Sequence, residues 1–243
     1  MFFSNNRNTT LIIMALFILM VLRHFTQADL LGLVLTLPGV LVAITFHEYA
    51  HAWAATKLGD DTPRMQGRLN LNPLSHIDPV GFVLLLFAGF GWGKPVEINP
   101  RNFYDKYSME KGEAIVSVAG PAMNFILAIV FAIIYSLVIK LASVTFIISE
   151  FGRIIIGIIN YAIIINIGLG VFNLIPLPPL DGSKIFRRFL PYNAKQWIYE
   201  HENIFYIIFL AIWITGIADI IVSPILSAIY KLLMRGCFIL FKL

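Results

Sequence analysis

Residues 30–56 read LLGLVLTLPGVLVAITFHEYAHAWAAT, an apolar run that leads directly into a polar motif. The first 17 of these residues carry no charged side chain. Uncharged apolar runs of about this length are typical of helices that span a bilayer. We therefore predict a transmembrane helix here, with the polar motif at its C-terminal end.

The composition of the chain supports a membrane location. Of its 243 residues 58% are hydrophobic and 13% are charged, about half of the roughly 25% charged residues in soluble domains. These values exclude an ordinary soluble globule and a disordered protein, and we expect no nucleic-acid partner. We predict an all-α polytopic membrane protein. The single cysteine excludes an internal disulfide and any multi-cysteine metal site.

Uncharged runs predict about six transmembrane helices in one integral membrane domain over residues 1–243. The predicted spans are 8–22, 30–46, 114–139, 154–180, 203–218 and 220–242. The run at 80–92 is short and glycine-rich, which favours a re-entrant segment followed by an extended piece to about residue 103.

The basic residues predict an orientation. With six crossings and the N-terminus inside, 15 of the 18 Lys and Arg residues lie inside and 3 outside; five crossings give 12 to 6. The positive-inside rule favours the six-crossing version. The polar motif that follows residue 46 then faces the cytoplasm.

His47, Glu48 and His51 form an HExxH motif. Helical residues four positions apart differ by about 40° around the axis, so both imidazoles can grip one zinc ion. Glu48 then lies within reach of a zinc-bound water. A chance match is the alternative, but ionisable side chains beside a membrane span are costly unless they serve a function.

A catalytic zinc site needs a third protein ligand. The metzincin extension is absent, because Ala54 and Lys57 stand where it requires Gly and His. Asp181 is the best candidate, since it follows a predicted span that ends on the same side of the membrane as the HExxH motif. Taken alone, Asp181 is more typical of a helix N-cap. A two-histidine site without its third ligand favours the metal role.

Three other polar residues have two readings each. His76 and Asp78 lie in a proline-bounded segment, and their spacing favours hydrogen bonds within a turn over metal binding. Asn124 lies within a predicted span. It either makes an interhelical hydrogen bond or binds a substrate carbonyl or oxyanion, and spacing alone leaves these even.

Three motifs occur in order on separate predicted spans: HEYAHA at 47–52, AGPAMN at 119–124 and NLIPLPPLDG at 173–182. Together they resemble the site-2 protease family of intramembrane zinc metalloproteases. The stretches GRLNLNPLSHIDPVG at 67–81 and GWGKPVEINPRNF at 91–103 look like its compact bacterial and archaeal branch, which lacks PDZ and CBS domains.

The resemblance implies a three-helix catalytic core over about residues 30–190, with C-terminal helices at about 200–243. It implies one zinc ion held by His47, His51 and Asp181, with Glu48 as general base. It also implies substrate or oxyanion contacts by Asn124 and Asn173.

The resemblance further implies a multi-pass protein of the cell membrane with its active site toward the cytoplasm. The expected reaction is hydrolysis of a peptide bond within or near a transmembrane helix of a membrane-protein substrate, as in regulated intramembrane proteolysis. The alternative is a catalytically silent zinc-binding scaffold or a transporter.

Overall fold

The computed structural model describes residues 30–88 and 91–242, so the predicted first span at 8–22 lies outside the described residues. The described residues form α-helices, one 3-10 helix at Pro100–Asn102 and no β-strand. The α-helices are α1 (Leu30–Lys57), α2 (Thr62–Met65), α3 (Pro73–His76), α4 (Pro79–Ala88), α5 (Met109–Leu141), α6 (Val144–Ile148), α7 (Glu150–Asn173), α8 (Asp181–Arg187), α9 (Tyr192–Glu200), α10 (Glu202–Ile214) and α11 (Ile217–Phe241).

Four of the described helices are long and apolar enough to cross a membrane, namely α1, α5, α7 and α11. Their outer faces expose large apolar side chains, including Ile126 and Ile129 on α5 and Ile220 and Leu232 on α11. A surface of this kind requires a hydrocarbon solvent. The predicted all-α membrane fold is confirmed.

Helices α1, α5 and α7 pack against one another and form the centre of the bundle. Small residues allow the close approach between them. At Gly39 of α1 an added Cβ would lie 2.9 Å from the Cα of Ala162 on α7. Small side chains at such contacts favour helix association in lipid, because the backbones can approach closely.

The bounds of α5 and α7 differ from the predicted spans for local reasons. Helix α5 begins five residues earlier than residue 114, because the Ser108 hydroxyl caps it by accepting the N–H of Lys111. Helix α7 ends at Asn173 instead of residue 180. The prolines that follow cannot continue a helix, since each lacks an N–H.

The predicted re-entrant segment is a helix that leads into an extended strap. After α4, the strap (residues 91–99) passes back beside the residues that precede α4. Gly93 forms an isolated antiparallel bridge with Ile77, and Lys94 donates its backbone N–H to the His76 carbonyl at 2.8 Å. The chain therefore returns close to its starting point.

The C-terminal helices correct part of the predicted topology. Helix α10 has 13 residues, about 20 Å at 1.5 Å per residue, which is too short to cross about 30 Å of hydrocarbon. The start of α5 packs beside the end of α1, where Val116 contacts Ala55 in one cluster. At the far end of α5, the Lys140 ammonium donates to the Phe241 carbonyl at 2.7 Å.

Helix α11 therefore runs in the same direction as α5 and ends away from the C-terminal end of α1. The six-crossing prediction placed the last three basic residues on the side where α1 ends, and that placement is wrong. The physical reason is the shortness of α10, which cannot carry the chain across before α11 begins. Of the 16 Lys and Arg residues in the described part of the chain, 11 then lie toward the end where α1 finishes.

A buried carboxylate holds the segment that follows α1 to the strap. Asp60 is fully buried and accepts hydrogen bonds from the backbone N–H and hydroxyl of Thr62, from the backbone N–H of Asn99 and from the Asn102 amide. Burial alone would raise the pKa of this carboxyl, but the donors of Thr62, Asn99 and Asn102 outweigh it and hold the pKa below its usual value.

We predict that Asp60 makes the stability of the protein sensitive to acid. A depressed carboxyl pKa adds to the free energy of unfolding. That contribution is complete above the unfolded-state pKa of about 3.9 and is lost as the pH falls through the lower folded-state pKa. Thermal unfolding in detergent between pH 6 and pH 3 should show a steeper loss for the wild type than for Asp60→Asn. Parallel losses in the two proteins would contradict the assignment.

Candidate metal centre

Three side chains from two elements meet near the end of α1. His47 and His51 lie one turn apart on α1 and are both buried. Asp181 is the first residue of α8, which begins after the proline-rich turn that follows α7. His47 Nε2 and His51 Nε2 each lie 3.2 Å from Asp181 Oδ2 and 3.0 Å from each other. Three potential ligand atoms therefore surround one point.

Hydrogen bonds to the outer ring nitrogens fix the state of both imidazoles. His47 Nδ1 lies 2.7 Å from Asn124 Oδ1, and His51 Nδ1 lies 2.7 Å from the Val116 carbonyl. Both partners are oxygens that only accept, so each Nδ1 carries the proton and donates it. In a neutral imidazole of this tautomer the lone pair is on Nε2, which here faces the other Nε2 and the Asp181 carboxylate.

This donor set fits a metal ion. Two lone pairs and a carboxylate oxygen within 3.2 Å repel one another unless a cation lies between them. Ligand bonds of about 2.0–2.2 Å in tetrahedral geometry place ligand atoms roughly 3.3–3.5 Å apart, close to the observed separations. Within the described residues, these three side chains are the one group of His, Cys, Asp and Glu placed to hold a metal.

Gly120 on α5 leaves the space that the site occupies. An added Cβ at this position would lie 2.5 Å from His51 Nε2 and 2.7 Å from His47 Cε1. Any larger side chain would therefore displace both imidazoles. Gly120 belongs to the AGPAMN motif, and the structure places it in the wall of the metal site.

Asp181 does not cap its helix. The N-cap of α8 is Leu180, and no side chain caps this helix. The carboxylate of Asp181 instead contacts both imidazoles, so the capping alternative is wrong and the predicted grouping of the three side chains is present.

Glu48 lies beside the site and contacts the strap. Its Oε2 accepts the backbone N–H of Val96 at 3.1 Å, and Arg68 Nη2 lies 3.9 Å from the same oxygen. An added Cβ at Gly93 would lie 3.3 Å from Glu48 Oε1. The strap therefore covers the carboxylate and fixes one of its oxygens.

Arg68 is a residue of this region that the sequence did not single out. Its guanidinium is buried and donates to the backbone carbonyls of Ser75 and Lys94. It thereby joins the segment before α4 to the strap, with the Glu48 carboxylate as its nearest counter-charge. The signal available in the sequence was an arginine within the proline- and asparagine-rich stretch at 67–81.

His76 and Asp78 both make hydrogen bonds within their segment, and that of Asp78 is the turn hydrogen bond that the spacing predicted. His76 is fully buried with its Nε2 2.7 Å from the Asn70 carbonyl, and Asp78 accepts the N–H of Gly81 at 2.8 Å. Burial holds the pKa of His76 below its usual value.

The two asparagines named from the sequence differ in position. Asn124 is fully buried, and its amide donates to the Ala43 carbonyl at 3.1 Å and to Asn166 Oδ1 at 3.0 Å. The interhelical hydrogen bond that the sequence left open is therefore present, and a substrate contact by Asn124 stays a prediction. Asn173 lies at the end of α7 and donates to the Leu169 carbonyl at 3.0 Å.

Comparison with known proteins agrees with this geometry. The model of "Peptidase family M50" matches residues 35–216, a range that contains the HExxH motif, Asn124 and Asp181. No solved structure matches the chain significantly.

Several curated proteins are similar to this chain over most of its length. YwhC of Bacillus subtilis is 39% identical over 81% of this chain and 86% of its own length. Rip2 of Mycolicibacterium smegmatis is 29% identical over 68% of this chain and 63% of its own length. MJ0611 of Methanocaldococcus jannaschii is 27% identical over 78% of this chain and 86% of its own length. All three carry names that assign them to the zinc metalloproteases.

We predict that Gly120→Ala weakens zinc binding, because the new methyl group displaces both imidazoles. We expect at least a tenfold loss of affinity, or about 1.4 kcal/mol, measured by competition with a chromophoric chelator. Gly236→Ala is the matched control, since an added Cβ there meets nothing within 4 Å. Equal zinc affinities of the two variants would contradict the assignment of Gly120.

Proposed function

This chain belongs to peptidase family M50, and we propose that it is an intramembrane zinc endopeptidase. Its substrate is a membrane protein, cleaved at a peptide bond within or near a transmembrane helix. The observation that carries the proposal is the meeting of His47, His51 and Asp181 beside Glu48, inside a bundle of apolar helices. A metal site with a neighbouring carboxylate, built on helices that span the membrane, can reach a peptide bond that lies in or near the bilayer.

His47, His51 and Asp181 would hold one zinc ion through Nε2, Nε2 and Oδ2. Bound there, zinc would polarise the scissile carbonyl and lower the pKa of a coordinated water. Asn124 and the Val116 carbonyl keep both imidazoles in the tautomer that presents Nε2 inward.

Glu48 acts as the general base. Its carboxylate accepts a proton from the attacking water and later donates it to the leaving amine. The Val96 N–H donates to Oε2 at 3.1 Å and the Arg68 guanidinium lies 3.9 Å from it, so these two groups hold the carboxylate in position. Asn173 is a candidate substrate contact at the end of α7.

The strap suits an unwound substrate. Backbone carbonyls of a transmembrane helix are hydrogen-bonded within the helix, so the helix must unwind locally before attack. The strap is an extended segment beside Glu48, and extended segments bind peptides by strand addition. Its position supports the proposal that the scissile peptide lies along residues 91–99.

The cellular setting follows from the charges and the family. We propose a multi-pass protein of the cell membrane whose active site faces the cytoplasm, because most of its basic residues lie toward the end of the bundle where α1 finishes. The lipid bilayer and a substrate with a transmembrane helix are then its partners. Cleavage of such a substrate is the chemistry of regulated intramembrane proteolysis.

A zinc-binding scaffold or a transporter is the second candidate. A transporter requires further ligands along a pathway through the membrane. The described residues hold a single group suited to a metal, at one end of the bundle. A scaffold would need no general base, and Glu48 is present beside the site.

We predict that Glu48→Gln keeps zinc and the fold but loses proteolysis by a factor of roughly a hundred or more, because general acid–base catalysis contributes about 10²–10⁴-fold. Purified variants would be assayed with a model membrane protein, with and without a chelator, and their zinc content measured. Glu150→Gln is the matched control, because Glu150 is exposed in the first turn of α7 at the other end of the bundle.

Full activity of Glu48→Gln would rule out the enzyme proposal, and zinc binding without cleavage by the wild type would favour the scaffold. Comparison of membrane-protein fragments in cells expressing wild type or Glu48→Gln would identify natural substrates.

A further inference from the structure

A polar cavity separate from the metal centre lies at the end of the bundle where α5 begins. Its volume is about 370 Å³, and it is bounded by the first turns of α5 together with α8 and α9. Four basic side chains and two acidic ones line it. These are Lys184, Arg187, Arg188, Lys195, Glu110 and Glu113.

Most of the basic side chains in this cavity form no ion pair with any described residue. Lys195 donates to Glu110 Oε1 at 2.6 Å. Lys184, Arg187 and Arg188 form no ion pair within the described part of the chain, and the first two are half-buried. Glu113 alone offsets their three charges. Partly desolvated cations without a carboxylate partner, such as Lys184 and Arg187, favour an anionic ligand.

The surroundings of the cavity indicate its depth in the membrane. Helices α8 and α9 have seven and nine residues, too few to cross a bilayer. Helices α8 and α9 and the turn between them expose more than half of Phe186, Phe189, Trp197 and Tyr199, close in sequence to the basic residues. Aromatic side chains interleaved with Lys and Arg are typical of segments that lie at the membrane–water interface.

We propose that this cavity binds the headgroup of an anionic phospholipid. The guanidinium groups of Arg187 and Arg188 can grip phosphate oxygens through paired N–H donors, and Lys184 adds a point charge. The Tyr192 phenol in the cavity wall offers a further donor. The exposed aromatic side chains of α8 and α9 pack among the lipid chains and hold the cavity at headgroup depth.

The site would couple lipid binding to the helix that carries Asp181. Lys184, Arg187 and Asp181 share α8, a helix of only seven residues. A bound headgroup therefore stabilises α8 in its place. This effect of the lipid on α8 does not depend on whether the protein is a protease. The binding of lipid and the cleavage of substrate can be tested separately.

The test measures phospholipid binding to the full chain in detergent by native mass spectrometry. Phosphatidylglycerol should bind the wild type more tightly than phosphatidylcholine. The variant Lys184→Gln/Arg187→Gln/Arg188→Gln should bind phosphatidylglycerol roughly tenfold or more weakly. Arg64→Gln/Arg101→Gln/Lys106→Gln removes three exposed charges from the same end of the bundle and should bind as the wild type does.

A lack of preference for phosphatidylglycerol in the wild type would overturn the proposal, as would an equal loss of binding in the two triple variants. Displacement of phosphatidylglycerol by inorganic phosphate at matched concentration would assign the cavity to free phosphate and would also overturn it. The single variant Arg188→Gln tests the same site without disturbing the fold, because the Arg188 side chain is exposed. An intermediate loss in this variant, with unchanged thermal unfolding in lipid-free detergent, supports the proposal.

Discussion

The hydrogen bonds of Asn124 are the interaction on which the site depends. This buried amide accepts a hydrogen bond from His47 of α1 and donates hydrogen bonds to the Ala43 carbonyl of α1 and to Asn166 of α7, while its own backbone belongs to α5. In hydrocarbon an unpaired amide costs several kcal/mol, so the three helices are held in the one arrangement that satisfies it. The same arrangement sets the tautomer and the orientation of the His47 imidazole.

A second set of polar contacts holds the segments between α1 and α5 over the site. Asp60 accepts hydrogen bonds from Thr62, which follows α1, and from Asn99 of the strap. Arg68 donates to two backbone carbonyls of the same region. Backbone groups here belong to no regular ladder, so a buried charge of each sign supplies the missing partners. The strap is thereby fixed against Glu48. Rigid support outside the bundle thus determines the surroundings of Glu48.

Much of the site was predictable because its chemistry leaves local patterns. The one-turn spacing of His47 and His51 is set by helix geometry, and Asp181 followed from which side of the membrane each span ends on. The contacts of Arg68 and the role of Gly120 were not predictable, since both depend on groups that only the folded chain brings close. The direction of α11 was predicted wrongly, because apolar composition does not show where a chain turns back.

The sequence by itself determined that the chain is an all-α membrane protein with an HExxH motif at the end of one span. Those properties depend on composition and on spacing along one helix, which are local. Only the tertiary structure decided that Asp181 meets both imidazoles at 3.2 Å and that Gly120 leaves room for them. Such contacts join residues far apart in the chain, and their distances depend on how closely three helices pack.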